Sequence, residues 1–213
     1  VCKKGIKYGK LFCMRMHRKD NLDARLAACA DIMTAADLTE KNMKKAAELK
    51  DYINFAQVFK NDNPVHLEIG CGKGGFATGM AKLHPNTNFI AVEKVSNVII
   101  TACESAKAEG LKNVHFINCP AEVLPRYIPE GSIERIYLNF SDPLPKLGYA
   151  AQRLTAPRFL SLYKNILKAG GEIWQKTDNE DFFGFSLETY SQCGYSVLQV
   201  CRDLAANPFE GNV

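Results

Sequence analysis

No apolar run in the 213-residue chain approaches the ~18 residues that a membrane-spanning helix requires, so no spanning segment is expected. The opening nineteen residues are basic and lack the continuous apolar stretch of an export signal, which makes the cytoplasm the expected compartment. Cysteines are present but without pattern. The eight, at positions 2, 13, 29, 71, 103, 119, 193 and 201, include no CxxC pair and are joined by no paired histidine spacing, so no metal site is expected. They read as reduced thiols serving as small core hydrophobes. Internal repeats and low-complexity segments are also missing.

With 46% hydrophobic and 23% charged residues, the composition is that of a globular chain. Its length suits one domain with a short appendage. The net charge of +4 is modest but unevenly placed. Lys3, Lys4, Lys7, Lys10, Arg15, His17, Arg18 and Lys19 are opposed by Asp20 alone, a pattern that suits an arm neutralising phosphates.

Helix-forming residues dominate 22–33 and 39–59, with Thr39 placed as an N-cap, and these segments predict a helical prelude. Asn61-Asp62-Asn63-Pro64 then punctuates the chain. Beyond it, short apolar runs alternate with helical segments, the mark of a parallel sheet covered on both faces. Strands are predicted at 65–69, 89–93, 114–118, 133–140, 172–177 and 195–200. Helices are predicted at 75–83, 96–109, 157–168 and 181–192, with Pro157 in a first turn and Gly170-Gly171 as a C-cap. The expected fold is α/β, a doubly wound, mostly parallel sheet, with a basic arm and helical extension over residues 1–60 and the α/β domain over 61–213.

The first predicted strand runs into Gly70-Cys71-Gly72-Lys73-Gly74-Gly75 before a helix. Gly70 and Gly72 let the backbone turn tightly and approach a nucleotide-like ligand, and Gly70, Gly72 and Gly75 would equally satisfy a dinucleotide fingerprint. Two carboxylates shift the reading. Glu68 stands where it would repel a pyrophosphate but face a cationic methionine moiety, which favours S-adenosylmethionine. Glu93, after the next strand, is placed to take two ribose hydroxyls, a need that both cofactors share. Farther on, 133–140 runs into Ser141-Asp142-Pro143-Leu144-Pro145-Lys146. Ligands of doubly wound sheets bind beyond the carboxyl ends of the strands, and two prolines there would hold Asp142 and Lys146 in fixed positions.

These residues, together with Asn61 to Pro64, His66 to Gly74, Ala91-Val92-Glu93-Lys94, Arg153-Leu154-Thr155 and Lys176-Thr177-Asp178-Asn179, make the sequence similar to the bacterial tRNA (guanine-N7)-methyltransferase family. The resemblance implies a class I methyltransferase fold, S-adenosylmethionine as cofactor and the variable-loop guanine of tRNA as substrate. It implies that Glu68, Glu93 and Asp142 contact the cofactor and that Lys146 and Asp178 contact the tRNA. Guanine N7 already carries a lone pair, so no catalytic histidine is expected, and a nearby carboxylate, Asp142 or Asp178, with Asp142 the candidate catalytic residue, would stabilise the positive charge that the purine gains. Met14-Arg15-Met16 resembles the family's usual start, with residues 1–13 as an upstream extension. Monomer and homodimer both remain open.

The sequence differs from the family pattern at three places. Leu144 replaces a tryptophan, and 147–152 replaces a run rich in Arg, His and Lys. Pro120 falls where an acid near the adenine is expected, leaving Asn118 and Glu122 as the nearest polar residues, of which Asn118 is the candidate cofactor contact. The chain ends at Gly211-Asn212-Val213, just before the family's Thr-x-x-Glu segment. Other readings of the same residues are a methyltransferase of this fold with another RNA or small-molecule substrate, a non-catalytic tRNA-binding relative, and a dinucleotide oxidoreductase.

Overall fold

The computed structural model describes residues 17–37, 39–204 and 206. Most of the basic arm, the proposed upstream extension and the C-terminal tripeptide lie outside the described residues. In chain order the elements are α1 (Leu22–Ala28), β1 (Met33–Ala35), α2 (Met43–Glu48), α3 (Phe55–Phe59), β2 (Val65–Ile69), α4 (Gly75–Leu83), β3 (Asn88–Val92), α5 (Ser96–Ala108) and β4 (Val114–Asn118). They continue with α6 (Leu124–Tyr127), β5 (Ile133–Asn139), α7 (Pro157–Ile166), β6 (Leu167–Lys176) and α8 (Glu180–Gln192), with short 3-10 turns at Ala121–Val123 and Leu147–Gln152.

Six strands form one parallel sheet in the order β1-β4-β3-β2-β5-β6. The central strand β3 is buried along its whole length, as a parallel strand covered on both faces must be. Its alternate side chains divide two cores: Ile90 and Val92 face a cluster with Phe159, Leu160 and Tyr163 of α7, while Phe89 and Ala91 face one with Ile99, Ala102 and Cys103 of α5. Among the described cysteines all six are free; Cys29, Cys71, Cys103 and Cys119 are buried, the small-hydrophobe use expected of them, while Cys193 and Cys201 are half-buried. Among the described residues no helix is long and apolar enough to cross a membrane.

The prelude differs from its expected form. The predicted helix over 22–33 stops at Ala28, because Met33–Ala35 pairs with Phe116–Asn118 of β4 as an edge strand. The predicted helix over 39–59 is broken in two, capped by the Asn42 and Asn54 side chains instead of Thr39. Between the two helices, the Asp51 and Ile53 amides donate to the Arg126 and Tyr127 carbonyls at 2.9 and 2.8 Å, so long-range bonds replace helical ones. Buried Arg126 closes this contact, its Nε donating to Asp51 at 2.6 Å and its Nη1 to the Asp37 carbonyl at 2.9 Å.

Two corrections fall on the C-terminal half. Strand β6 begins at Leu167, ahead of the predicted start, and Gly170 takes a φ of 77° inside it. Ile133 pairs with Leu167 but Arg135 with Glu172, so Gly170-Gly171 belongs to an irregularity that re-registers β6 on β5, not to a helix cap. The predicted strand over 195–200 pairs with no strand among the described residues. Only its start is held, by the Tyr195 hydroxyl donating to the Leu160 carbonyl at 2.8 Å, while Val197, Leu198 and Val200 are exposed.

Candidate active site

The candidate residues lie at or just past the carboxyl ends of β2, β3, β4, β5 and β6, except Lys146, which stands farther along the loop after β5. The turn out of β2 is stitched to β3 by the Gly70 and Cys71 amides, which both donate to the Val92 carbonyl at 2.8 and 2.9 Å. Gly72 has a φ of 56°, and a Cβ built on it meets nothing within 4 Å, so its side of the loop is open to a ligand. Gly74 is required for a second reason. Its φ is 81° and an added Cβ would stand 2.5 Å from the Ala102 Cβ of α5. The third glycine of the motif is therefore Gly74, where the loop meets a neighbouring helix, and not Gly75, whose Cβ would meet open space.

Glu93, just past β3, clamps this loop: one carboxylate oxygen accepts from the Gly72 amide at 3.2 Å and the other from the Val95 amide at 2.9 Å. Asn118, ending β4, donates to the Glu93 carbonyl at 2.8 Å and accepts from the Ser96 hydroxyl at 2.7 Å. Gly72, Glu93, Ser96 and Asn118 thus form one continuous network along three strand ends. Ser96 was not singled out in the sequence because a serine opening a helix reads as an ordinary N-terminal residue.

Glu68 lies deeper, 3% exposed. Its Oε1 accepts from the Asn139 amide of β5 at 3.1 Å. Burial pushes its carboxyl up to about 7, opposed by the Asn139 hydrogen bond, the Ala77 amide and the positive charge of Lys176. The same burial lowers the Lys176 ammonium. That ammonium sits 5.7 Å above the Phe76 ring, which packs edge-on against Tyr137 at 4.8 Å, seating the first turn of α4 over β5 and β6. Among the described residues, Glu68 Oε2, Asn139 Oδ1 and Ser141 Oγ are buried without a hydrogen-bond partner. Two unmet acceptors joined through one hydrogen bond suit a ligand bearing several N–H donors, an ammonium above all.

Beyond β5 the chain enters the candidate reaction loop. The Phe140 amide donates to the Lys176 carbonyl at 2.8 Å, carrying the β5–β6 ladder one residue past the strand. Phe140 has a φ of 49° and Leu144 one of 43°, conformations that cost an L-residue about 1 kcal/mol or more each. An Asp142 carboxylate oxygen accepts from the Leu144 amide at 3.1 Å, and the Leu144 carbonyl accepts from Arg153 at 3.2 Å. Prolines are thus not the loop's only stiffeners. Buried Arg153, with its guanidinium 4.4 Å over Phe185, ties the loop to α8. Asp142 and Lys146 are exposed, as is Asp178, which leaves β6 just before the Asn179 side chain caps α8. The structure therefore brings Asp142 and Asp178 to neighbouring strand exits, with Lys146 farther along the loop. Asn139, Lys176 and Arg153 stood inside recognisable motifs, but nothing local marked them as partners of Glu68 or of the loop backbone.

A parallel sheet in this order, with a glycine turn leaving one central strand and a carboxylate leaving the next, is shared with dinucleotide-binding folds, and the buried Glu68 beside the turn, unfavourable to a pyrophosphate, makes it a class I S-adenosylmethionine-dependent methyltransferase. The residues fit that cofactor: Glu68 Oε2 and Asn139 Oδ1 match its ammonium, and the open side of Gly72 lies beside the Glu93 carboxylate. Solved structures share the fold. A SAM-dependent methyltransferase from Aquifex aeolicus aligns at 17% identity with a TM-score of 0.50, covering 75% of this chain and 90% of that one. Precorrin-6y C5,15-methyltransferase from Geobacter metallireducens aligns at 15% identity with a TM-score of 0.50, covering 84% and 78%. A family model described as "Putative methyltransferase" matches residues 62–210.

Sequence relatives narrow the class. A tRNA (guanine-N(7)-)-methyltransferase of Bacillus subtilis is 40% identical over 200 residues, covering 94% of this chain and 89% of that protein. One from Geobacillus thermodenitrificans is 46% identical over 157 residues, covering 74% and 73%. The chain belongs to the tRNA (guanine-N7)-methyltransferase family.

Proposed function

We propose that the protein transfers a methyl group from S-adenosylmethionine to N7 of a guanine in tRNA, the variable-loop guanine in particular, and works in the cytoplasm. The observation that carries this reading is 40% identity to a tRNA (guanine-N(7)-)-methyltransferase over 94% of the chain. The catalytic domain is residues 61–213, to which residues 1–60 lend a basic arm and elements α1 through α3.

Glu68 and Asn139 receive the ammonium of the cofactor, the backbone at Gly70 and Gly72 lets it approach, and Glu93 with Asn118 beside it takes the ribose. When bound, the cofactor supplies a methyl on a sulfonium: the N7 lone pair forms the new C–N bond while the S–C pair returns to sulfur. No proton has to leave N7, so this chain's task is alignment and charge management. Asp142, exposed with one carboxylate oxygen engaged by the loop backbone, stabilises the charge that grows on the purine. Lys146 and Asp178 hold the tRNA, Lys146 through a phosphate.

Methyl transfer from radiolabelled cofactor to unmodified tRNA tests the activity, and borohydride reduction with aniline cleavage maps the modified guanine. Label without cleavage at any guanine would overturn N7 as the acceptor.

A further inference from the structure

Phe140 is 65% exposed although it directly follows a strand whose preceding even-numbered side chains, Ile136 and Leu138, are buried in the apolar core. Strand alternation would send the 140 side chain to that same face. The left-handed φ of 49° diverts it instead. A bulky aromatic thus takes an unfavourable backbone conformation and forgoes burial, two penalties that would not coincide at a residue chosen for stability. The arrangement is nevertheless held firmly. The Phe140 amide is bonded to Lys176 O, the preceding residue is bonded to Glu68, and the Asp142 carboxylate two residues on is fixed by the Leu144 amide. Among the described residues no other ring and no side-chain cation packs on the Phe140 face.

We propose that the Phe140 ring is the platform on which the target guanine stacks, presenting N7 beside Asp142; this rests on the activity proposed above. The chemistry favours an aromatic at that point. A purine methylated at N7 becomes cationic, and the negative face of a benzene ring attracts a cation more than a neutral base. Stacking therefore strengthens as the methyl arrives, so the ring stabilises the transition state more than the bound substrate. Placed on an exposed rim, the ring is reached by a base swung out of its helix, as single-stranded recognition requires.

Phe140→Gly separates the ring from the backbone, because glycine accepts the left-handed conformation. It is expected to match or exceed the wild-type melting temperature and to bind S-adenosylhomocysteine within about twofold, yet lose roughly 5- to 100-fold in kcat/KM for tRNA. Phe140→Leu, apolar but without a π face, should lose a similar factor. Phe140→Trp should retain turnover, and its added indole should be quenched by 7-methylguanosine monophosphate beyond any change at Trp174 in the wild type. Wild-type kcat/KM in the glycine or leucine variant, or an unquenched indole, would overturn the platform. No transfer to tRNA by the wild-type protein would strike the proposed activity instead, and the quenching measurement would still decide the base contact.

Discussion

Asn139 and Glu68, 71 residues apart in the chain, are joined by a 3.1 Å hydrogen bond between adjacent strands, and the join leaves one buried acceptor on each without a partner. Two unmet acceptors on a buried carboxyl and its amide partner suit N–H donors, and burial pushes that carboxyl up to about 7.

The first consequence concerns pH. The folded Glu68 carboxyl sits at about 7 against an ordinary value of 4.5, so the folded chain holds that proton more tightly than the unfolded chain. Its contribution to stability is complete below about pH 4.5 and is lost as pH rises through about 7. Glu68→Gln removes the ionisation, and should raise stability at pH 8 by up to ~3 kcal/mol while leaving it nearly unchanged at about pH 4. Thermal melts at both values check this; parallel pH profiles for the two proteins would refute it. Calorimetry should also show S-adenosylhomocysteine affinity largely gone.

Asn139→Leu deletes both the donor to Glu68 and the second unmet acceptor. Hydrogen bonds to charged groups contribute about 1.5–3 kcal/mol, so affinity for S-adenosylhomocysteine should fall roughly 10- to 100-fold. A dissociation constant within twofold of wild type would remove Asn139 from the cofactor site.

Gly74→Ala tests the close approach of the glycine turn to α5. An added methyl would stand 2.5 Å from the Ala102 Cβ at a φ of 81°, and a loss of about 2–4 kcal/mol is expected in denaturant unfolding. The double variant Gly74→Ala with Ala102→Gly should recover part of this, since it relieves the contact but not the backbone strain. No recovery would place the whole effect in the backbone.

Asp142 and Lys146 should fail differently. Asp142→Ala is expected to lower kcat at least ~100-fold with tRNA affinity little changed, as for a group that stabilises developing charge. Lys146→Ala should weaken tRNA binding and reduce the slope of log affinity against log salt by about 1. Unchanged turnover in the first variant, or an unchanged slope in the second, would remove the assigned role.

Much of this strand-end geometry was legible in the sequence. The β2 turn showed itself through Gly70, Gly72 and the helix after them, and β3 through a continuous apolar run ending at Glu93. Other features had no local mark. Thr34 sits in a three-residue strand that exists because β4 offers an edge, and Ile53 leaves helical geometry because Tyr127 offers a carbonyl. The segment over 195–200 is a short run rich in strand-forming residues, but no described strand takes it up.

The sequence by itself determined the alternation of strands and helices, the turn of glycines and the presence of acids after particular strands, because these depend on backbone preferences and periodicities within a few residues. Only the tertiary structure decided that Glu68 meets Asn139, that Gly74 meets Ala102, and that Phe140 turns outward while its neighbours turn in. Those outcomes depend on burial and on hydrogen-bond partners supplied by distant parts of the chain, and neither exists until the sheet has closed.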